Sequence, residues 1–143
     1  MNKLYILLLF TFIVSQSKAA TLVEDFEAAT FTKGSYDVLP TGNETNDDIT
    51  LSSGSWRCYQ GLRGNIANDR FNGTQSVRIQ GAGTGSTRAI LEMNFDKTGG
   101  AGTVEVFAAK YGTDGTSYFH FEASTDGGLT WSYISSTFTV SST

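Results

Sequence analysis

The sequence predicts an all-β protein, an antiparallel β-sandwich of jelly-roll type. Three observations predict it. Short runs of β-branched and aromatic residues alternate with polar ones at period 2. Turn clusters separate these runs, and the 143 residues hold 16 glycines but one proline. Beyond the first 19 residues nothing reads as a helix of useful length. Eight or nine short strands with such alternation imply two stacked sheets.

The elements follow in order. Lys3 precedes an apolar block over residues 4–14, and Ser17 and Ala19 are small residues at the positions a signal peptidase reads. This is the pattern of a secretory signal peptide over residues 1–19, cleaved after Ala19 and followed by one domain over residues 20–143. An apolar block of 11 residues spans roughly 16 Å as a helix, about half a bilayer core, so no membrane span is expected. The expected location is outside the cell or on its surface.

Residues 21–27 read as a first strand through Leu22, Val23 and Phe26, and residues 31–39 as a looser extended stretch. Residues 41–48 are polar and acidic, a loop. Residues 49–51 and 55–59 flank the turn Ser52-Ser53-Gly54, and alternation puts Trp56 and Cys58 on one face. Residues 75–80 alternate, with Val77 and Ile79 pointing together. Residues 88–95 place Leu91, Met93 and Phe95 on one face. Residues 103–111 are expected to be the longest strand, with Val104, Val106 and Ala108 on one face and Phe107, Ala109 and Tyr111 on the other. Residues 117–123 put Phe119, Phe121 and Ala123 inward and Tyr118, His120 and Glu122 outward. Residues 130–135 and 137–140 close the series. A sandwich usually ends on a strand that pairs near its first, so a final strand is expected to be missing after residue 143.

Charge and cysteine usage exclude several functions. Without Lys3 and Lys18 the domain keeps 8 basic against 14 acidic residues, a net charge of −6. Phosphate-backbone binding needs clustered Lys and Arg, so no direct nucleic-acid binding is expected. The lone Cys58 makes no internal disulfide and reads as a buried, inert thiol. A secreted domain without disulfides relies on its core, which suits a bacterial envelope or secreted protein. One histidine and one cysteine leave no zinc site and no catalytic triad. The Gly-rich runs 81–85 and 99–102 lack the Lys and the following helix of a phosphate loop. No carboxylate pair is singled out by spacing for glycosidase work, so the chain is read as not an enzyme.

Three motifs remain. Ser124-Thr125-Asp126-Gly127-Gly128-Leu129-Thr130-Trp131 has the residue types of an Asp-box hairpin, as in sialidases and other secreted β proteins. Asp126 is expected to accept bonds from its own turn, with Gly127 and Gly128 supplying positive φ. A sialidase-like propeller repeats this box, and here it occurs once, so it reads as structural. Second, Ca²⁺ needs six to eight oxygen ligands and often pins the first strand of a jelly roll to a mid-chain loop. Asp25 or Glu27, with Asp69 and Asn72, are the candidate ligands of such a structural ion. Third, Trp56, Tyr59, Tyr111, Tyr118 and Trp131 are candidates for a sugar-stacking platform, with core packing the competing role for Trp56 and Trp131.

As a set, Asp25-Phe26-Glu27 and the runs 51–56, 68–79, 91–96, 100–104 and 124–131 resemble a jelly-roll module of secreted proteins from Bacteroidetes-type bacteria. There it often sits beside endonuclease, lamin-tail or adhesin-like domains. The set is similar, more distantly, to MAM-like and carbohydrate-binding jelly rolls. The resemblance covers about residues 22–140. It implies a non-catalytic accessory or adhesion domain whose partner is a glycan or cell-surface component. The alternative it implies is the N-terminal module of a truncated secreted endonuclease or other hydrolase. Family members continue with further strands and an acidic segment.

Overall fold

The computed structural model describes residues 21–36, 47–81 and 89–141. The expected signal peptide, the acidic loop over 41–46 and most of the first Gly-rich run lie outside the described residues. Among the described residues there is no helix, and every strand pairing is antiparallel. Among the described residues no helix is long and apolar enough to cross a membrane.

The described residues form nine strands: β1 Asp48–Leu51, β2 Gly54–Tyr59, β3 Gly61–Gly64, β4 Ser76–Ile79, β5 Ile90–Met93, β6 Ser117–Phe119, β7 Glu122–Ala123, β8 Ser132–Tyr133 and β9 Phe138–Val140. The first sheet runs β1-β2-β5, with Ile49 opposite Trp56 and Cys58 opposite Leu91. Its other face carries Asp48, Arg57 and Glu92 in one cross-strand row, with Arg57 3.7 Å from Glu92. Trp56 and Cys58 share the inner face, as alternation requires, and Cys58 is fully buried.

One residue, Gln60 at φ 51°, separates β2 from β3. There the chain leaves the first sheet and pairs with β4 instead. Gln80 N–H donates to the Gln60 carbonyl at 2.8 Å and holds this corner. A strand that bends from one sheet to another is how two sheets share a core. Alternation marks a strand only over residues 55–59, so β3 is not expected from the sequence. At Gly61 a Cβ would lie 2.6 Å from Cys58 Sγ, so the corner closes only over a hydrogen.

Residues 21–36 correct the expectation of a first strand: the structure gives them no ladder. They form an arm held mainly by side chains. Thr30 Oγ1 donates to the Thr50 carbonyl at 2.8 Å, and Arg63 N–H to the Lys33 carbonyl at 2.8 Å. The arm therefore touches both sheets. Phe31 sits fully buried among Ile49, Leu51 and Cys58, with Phe26, Ala28, Trp56, Val77 and Leu91 packed around them. Phe26 takes φ 61°, a conformation outside any strand. Polar groups at both ends of the arm, described below, hold it there.

The second correction concerns residues 103–110. The expected longest strand makes no ladder with any described residue, and Phe107 is 98 % exposed. Its two apolar faces need cover on both sides, and the described residues give little. The third is that 117–123 divides into β6 and β7, which pair with β9 and β8. Between these ladders residues 120–121 face residues 134–137, so the returning strand bulges. Ile134 N–H donates to the Phe121 carbonyl at 3.0 Å, and Phe121 N–H to Ser135 Oγ at 2.9 Å. Residues 117–140 are thus one long hairpin.

Candidate functional site

The hairpin has two unlike faces. Phe119, Phe121 and Phe138 point inward, with ring centroids 5.1 to 5.7 Å apart. They form one wall of an open groove of about 340 Å³, and Val104, Val106 and Phe107 form the other. The opposite face carries Tyr118, His120 and Glu122. Tyr133 stands directly across from Glu122, hence on the same side. His120 Nε2 lies 3.0 Å from Glu122 Oε1, and its ring meets Tyr133 edge-on at 4.5 Å. Tyr118 and Tyr133 are 67 % and 68 % exposed. Two open phenol rings therefore flank a polar His–Glu pair on one surface.

The turn between β7 and β8 fixes that surface. Asp126 Oδ1 accepts from Thr130 N–H at 2.9 Å and from Ser124 Oγ at 2.7 Å, and Oδ2 accepts from Thr130 Oγ1 at 2.6 Å. Ser124 Oγ in turn accepts from Gly128 N–H at 2.8 Å. Gly127 and Gly128 adopt φ 70° and 85°, where a side chain is strained. Trp131 Nε1 donates to the Gly128 carbonyl at 3.1 Å, folding the indole back over the turn. The Thr130 hydroxyl, the Thr130 N–H and the Ser124 hydroxyl hold the Asp126 carboxyl down at about 2. An acid with both oxygens engaged in its own turn is built to hold a hairpin.

The proposed aromatic platform separates into different roles. Trp56 packs edge-on against Phe26 and Phe95, and its Nε1 donates to Ser53 Oγ at 2.9 Å. Tyr59 is buried. Tyr111 lies under the Arg78 guanidinium, 4.6 Å from its centroid. Tyr36 is 5.8 Å from the same guanidinium, and burial raises its hydroxyl above the ordinary value despite Arg78. Only Tyr118 and Trp131 of the five are open to solvent, Trp131 over its turn. Tyr133 was not anticipated. Its partner across the ladder, Glu122, depends on a register that alternation within one strand does not reveal.

Comparison with family models, curated proteins and solved structures found no match. The site is read from its own geometry.

Of the four candidate Ca²⁺ ligands, Asp25 and Glu27 share one hydrogen-bond set and Asp69 belongs to another. Asp25 Oδ1 accepts from Glu27 N–H at 3.1 Å. Glu27 Oε1 accepts from Thr74 N–H at 2.9 Å and Gln75 N–H at 3.1 Å, and Oε2 accepts from the Thr74 hydroxyl. Gln75 Nε2 closes the latch by donating to the Phe26 carbonyl at 2.6 Å. The Thr74 hydroxyl, then the N–H groups of Gln75 and Thr74, lower the Glu27 pKa. Asp69, buried, accepts from Ile66 N–H at 2.9 Å and from Arg78 at 3.1 Å. Asn72 is exposed in the loop that carries Thr74. The arm is thus joined to the mid-chain loop where a Ca²⁺ bridge was expected, with N–H and O–H donors at the Glu27 carboxylate. Among the described residues no three of His, Cys, Asp and Glu are grouped to hold a metal.

Sequence reading did not single out Glu24. Its Oε2 accepts from Ser52 Oγ at 3.0 Å, Ser53 Oγ at 2.6 Å and Ser53 N–H at 2.8 Å, and its Oε1 from Phe26 N–H at 2.8 Å. Burial pushes this carboxyl up, but the bonds from Ser53, Phe26 and Ser52 outweigh it and leave the pKa lowered. Glu24 and Glu27 so fix both sides of Phe26. The Ser-Ser pair ahead of Gly54 was the available signal, since a turn with spare donors suits a carboxylate.

Proposed function

We propose that this chain is a secreted, non-catalytic accessory module, a β-sandwich of jelly-roll type that attaches to glycan or another cell-surface component. The observation that carries the reading is the outward face of the 117–140 hairpin. Tyr118 and Tyr133 stand two-thirds open there, on either side of the His120–Glu122 pair. Flat rings stack on the C–H faces of pyranoses, and neighbouring polar groups fix the orientation of the sugar. The Asp126 turn supports such a role because it holds the two strands in register without occupying the face. A surface made of side chains on a rigid ladder binds without rearrangement.

A glycan array or polysaccharide pull-down tests this reading. Retention on at least one glycan is expected, and Tyr118→Ala or Tyr133→Ala should abolish it while leaving Tm unchanged. No retention across a broad panel would remove the proposal.

A further inference from the structure

We infer that the glycan taken by this face is built of uncharged pyranoses, rather than of sugars bearing carboxylates, sulfates or amines. The inference rests on the reading of the hairpin as a glycan-binding face and narrows it by charge. From Tyr111 to Thr143 the sequence contains no Lys and no Arg. It contains three acids, Asp114, Glu122 and Asp126, and the single histidine. Uronates and sulfate esters are recognised by charge-assisted hydrogen bonds, which Arg and Lys supply. The hairpin brings neither, and the formal net charge of −4 on the whole chain repels polyanions at longer range.

A glycan of amino sugars would need carboxylates turned toward it. Both oxygens of Asp126 already accept bonds from Ser124 and Thr130 inside the turn. Glu122 Oε1 lies against His120 Nε2 at 3.0 Å. Asp114 belongs to the turn before β6, where its N–H bonds the Tyr111 carbonyl at 2.9 Å. Beside the His120–Glu122 pair the face presents ring area and phenol hydroxyls. A phenol hydroxyl both donates and accepts. Such groups match sugar hydroxyls, which also do both. The rings of Tyr118 and Tyr133 match the apolar side of a pyranose.

Affinity gel electrophoresis of the purified protein tests the inference. One set of gels holds neutral polymers: hydroxyethyl cellulose, a β-1,3-glucan, a mannan and dextran. Two others hold polygalacturonate and heparin, or chitosan. At least one neutral gel is expected to retard the protein. Retardation there should be unchanged between about 50 and about 500 mM NaCl, because a neutral polymer forms no ion pair with the face. Tyr118→Ala and Tyr133→Ala should each weaken it about tenfold or more. Binding confined to the charged gels and removed by salt would overturn the inference and leave glycan binding standing. Binding to no gel would overturn both, and neutral-gel binding untouched by either substitution would move the site off this face.

Discussion

The first ladder region, residues 47–95, and the 117–140 hairpin carry the same period-2 pattern but use it differently. In the first, two sheets close on Phe31, Ile49, Leu51 and Cys58, and the arm over 21–36 crosses both. In the second, Phe119 stacks on Phe138 and Phe121 meets both edge-on, yet Phe107, across the groove, stays almost fully exposed. Alternation therefore decides which side chains share a face. Whether that face is buried depends on a covering element from elsewhere in the chain. The arm is that element for the first region. At the hairpin's inner face the facing wall of the groove is Val104, Val106 and Phe107.

Substitution of one phenylalanine in each region gives the largest expected contrast. Phe31→Ala removes a ring with no solvent exposure from the point where arm and sheets meet. A loss of about 3–5 kcal/mol is expected, the range for a buried phenylalanine. Phe107→Ala removes a ring that contacts mostly water, and a change within about 0.5 kcal/mol is expected. Urea unfolding of both variants checks the pair. Equal losses would mean that the groove is closed in solution.

The corner at Gln60 gives the next effect. Gly61→Ala places a methyl against Cys58 Sγ, where the ideal Cβ position lies only 2.6 Å away. Overpacking of this kind costs about 1–3 kcal/mol. Combining it with Cys58→Ala should recover part of the loss, because the second change removes the clashing atom. Absence of any coupling in a double-mutant cycle would show that the corner relaxes elsewhere.

Much of this architecture was legible in the sequence, and the failures share a cause. Ile49, Leu51, Trp56, Cys58 and Val77 were placed by local alternation, which depends only on the backbone. The Asp126 turn was legible because donor, acceptor and both glycines lie within eight residues. The arm was misread as a strand because Leu22, Val23 and Phe26 look strand-like, while the groups that bend it lie far along the chain. Ser52 and Ser53 meet Glu24, and Thr74 and Gln75 meet Glu27, each across 28 or more residues. Tyr133 escaped for the same reason, since its place beside His120 comes from cross-strand register.

Acid should separate the regions further. Glu24 has a folded pKa below its ordinary 4.5. The stability it adds is complete above that value and drains as pH falls through the lower folded value. Tm is therefore expected to be flat above about pH 5 and to fall on acidification. Glu24→Gln should lower Tm at neutral pH and shrink the acid-dependent fall. Asp126, held at about 2 from an ordinary 3.8, loses its contribution as pH falls through that window and acts only within its turn. Asp126→Ala should speed amide exchange at Gly128 and Thr130 while leaving the amides of β1 and β2 protected. Loss of protection in β1 as well would tie the hairpin to the core more tightly than their contacts indicate.

The smallest expected effect concerns Ca²⁺, and it bears on how the arm is held. An ion shared by Asp25, Glu27, Asp69 and Asn72 would need the Glu27 oxygens turned away from Thr74 and Gln75, and Asp69 turned from Arg78. N–H donors and a guanidinium present positive charge to a carboxylate, so they compete with a cation for the same lone pairs. No difference in Tm is therefore expected between millimolar Ca²⁺ and chelator. A ligand that binds only the folded state must raise Tm. A clear rise would show that Ca²⁺ displaces these donors and that the arm is joined to the mid-chain loop by metal. Glu27→Gln decides between the two readings. It keeps one oxygen for the N–H groups of Thr74 and Gln75, so a hydrogen-bonded latch should be weakened in part. A metal latch should lose its Ca²⁺ response completely, because the substitution removes the charge that holds the ion.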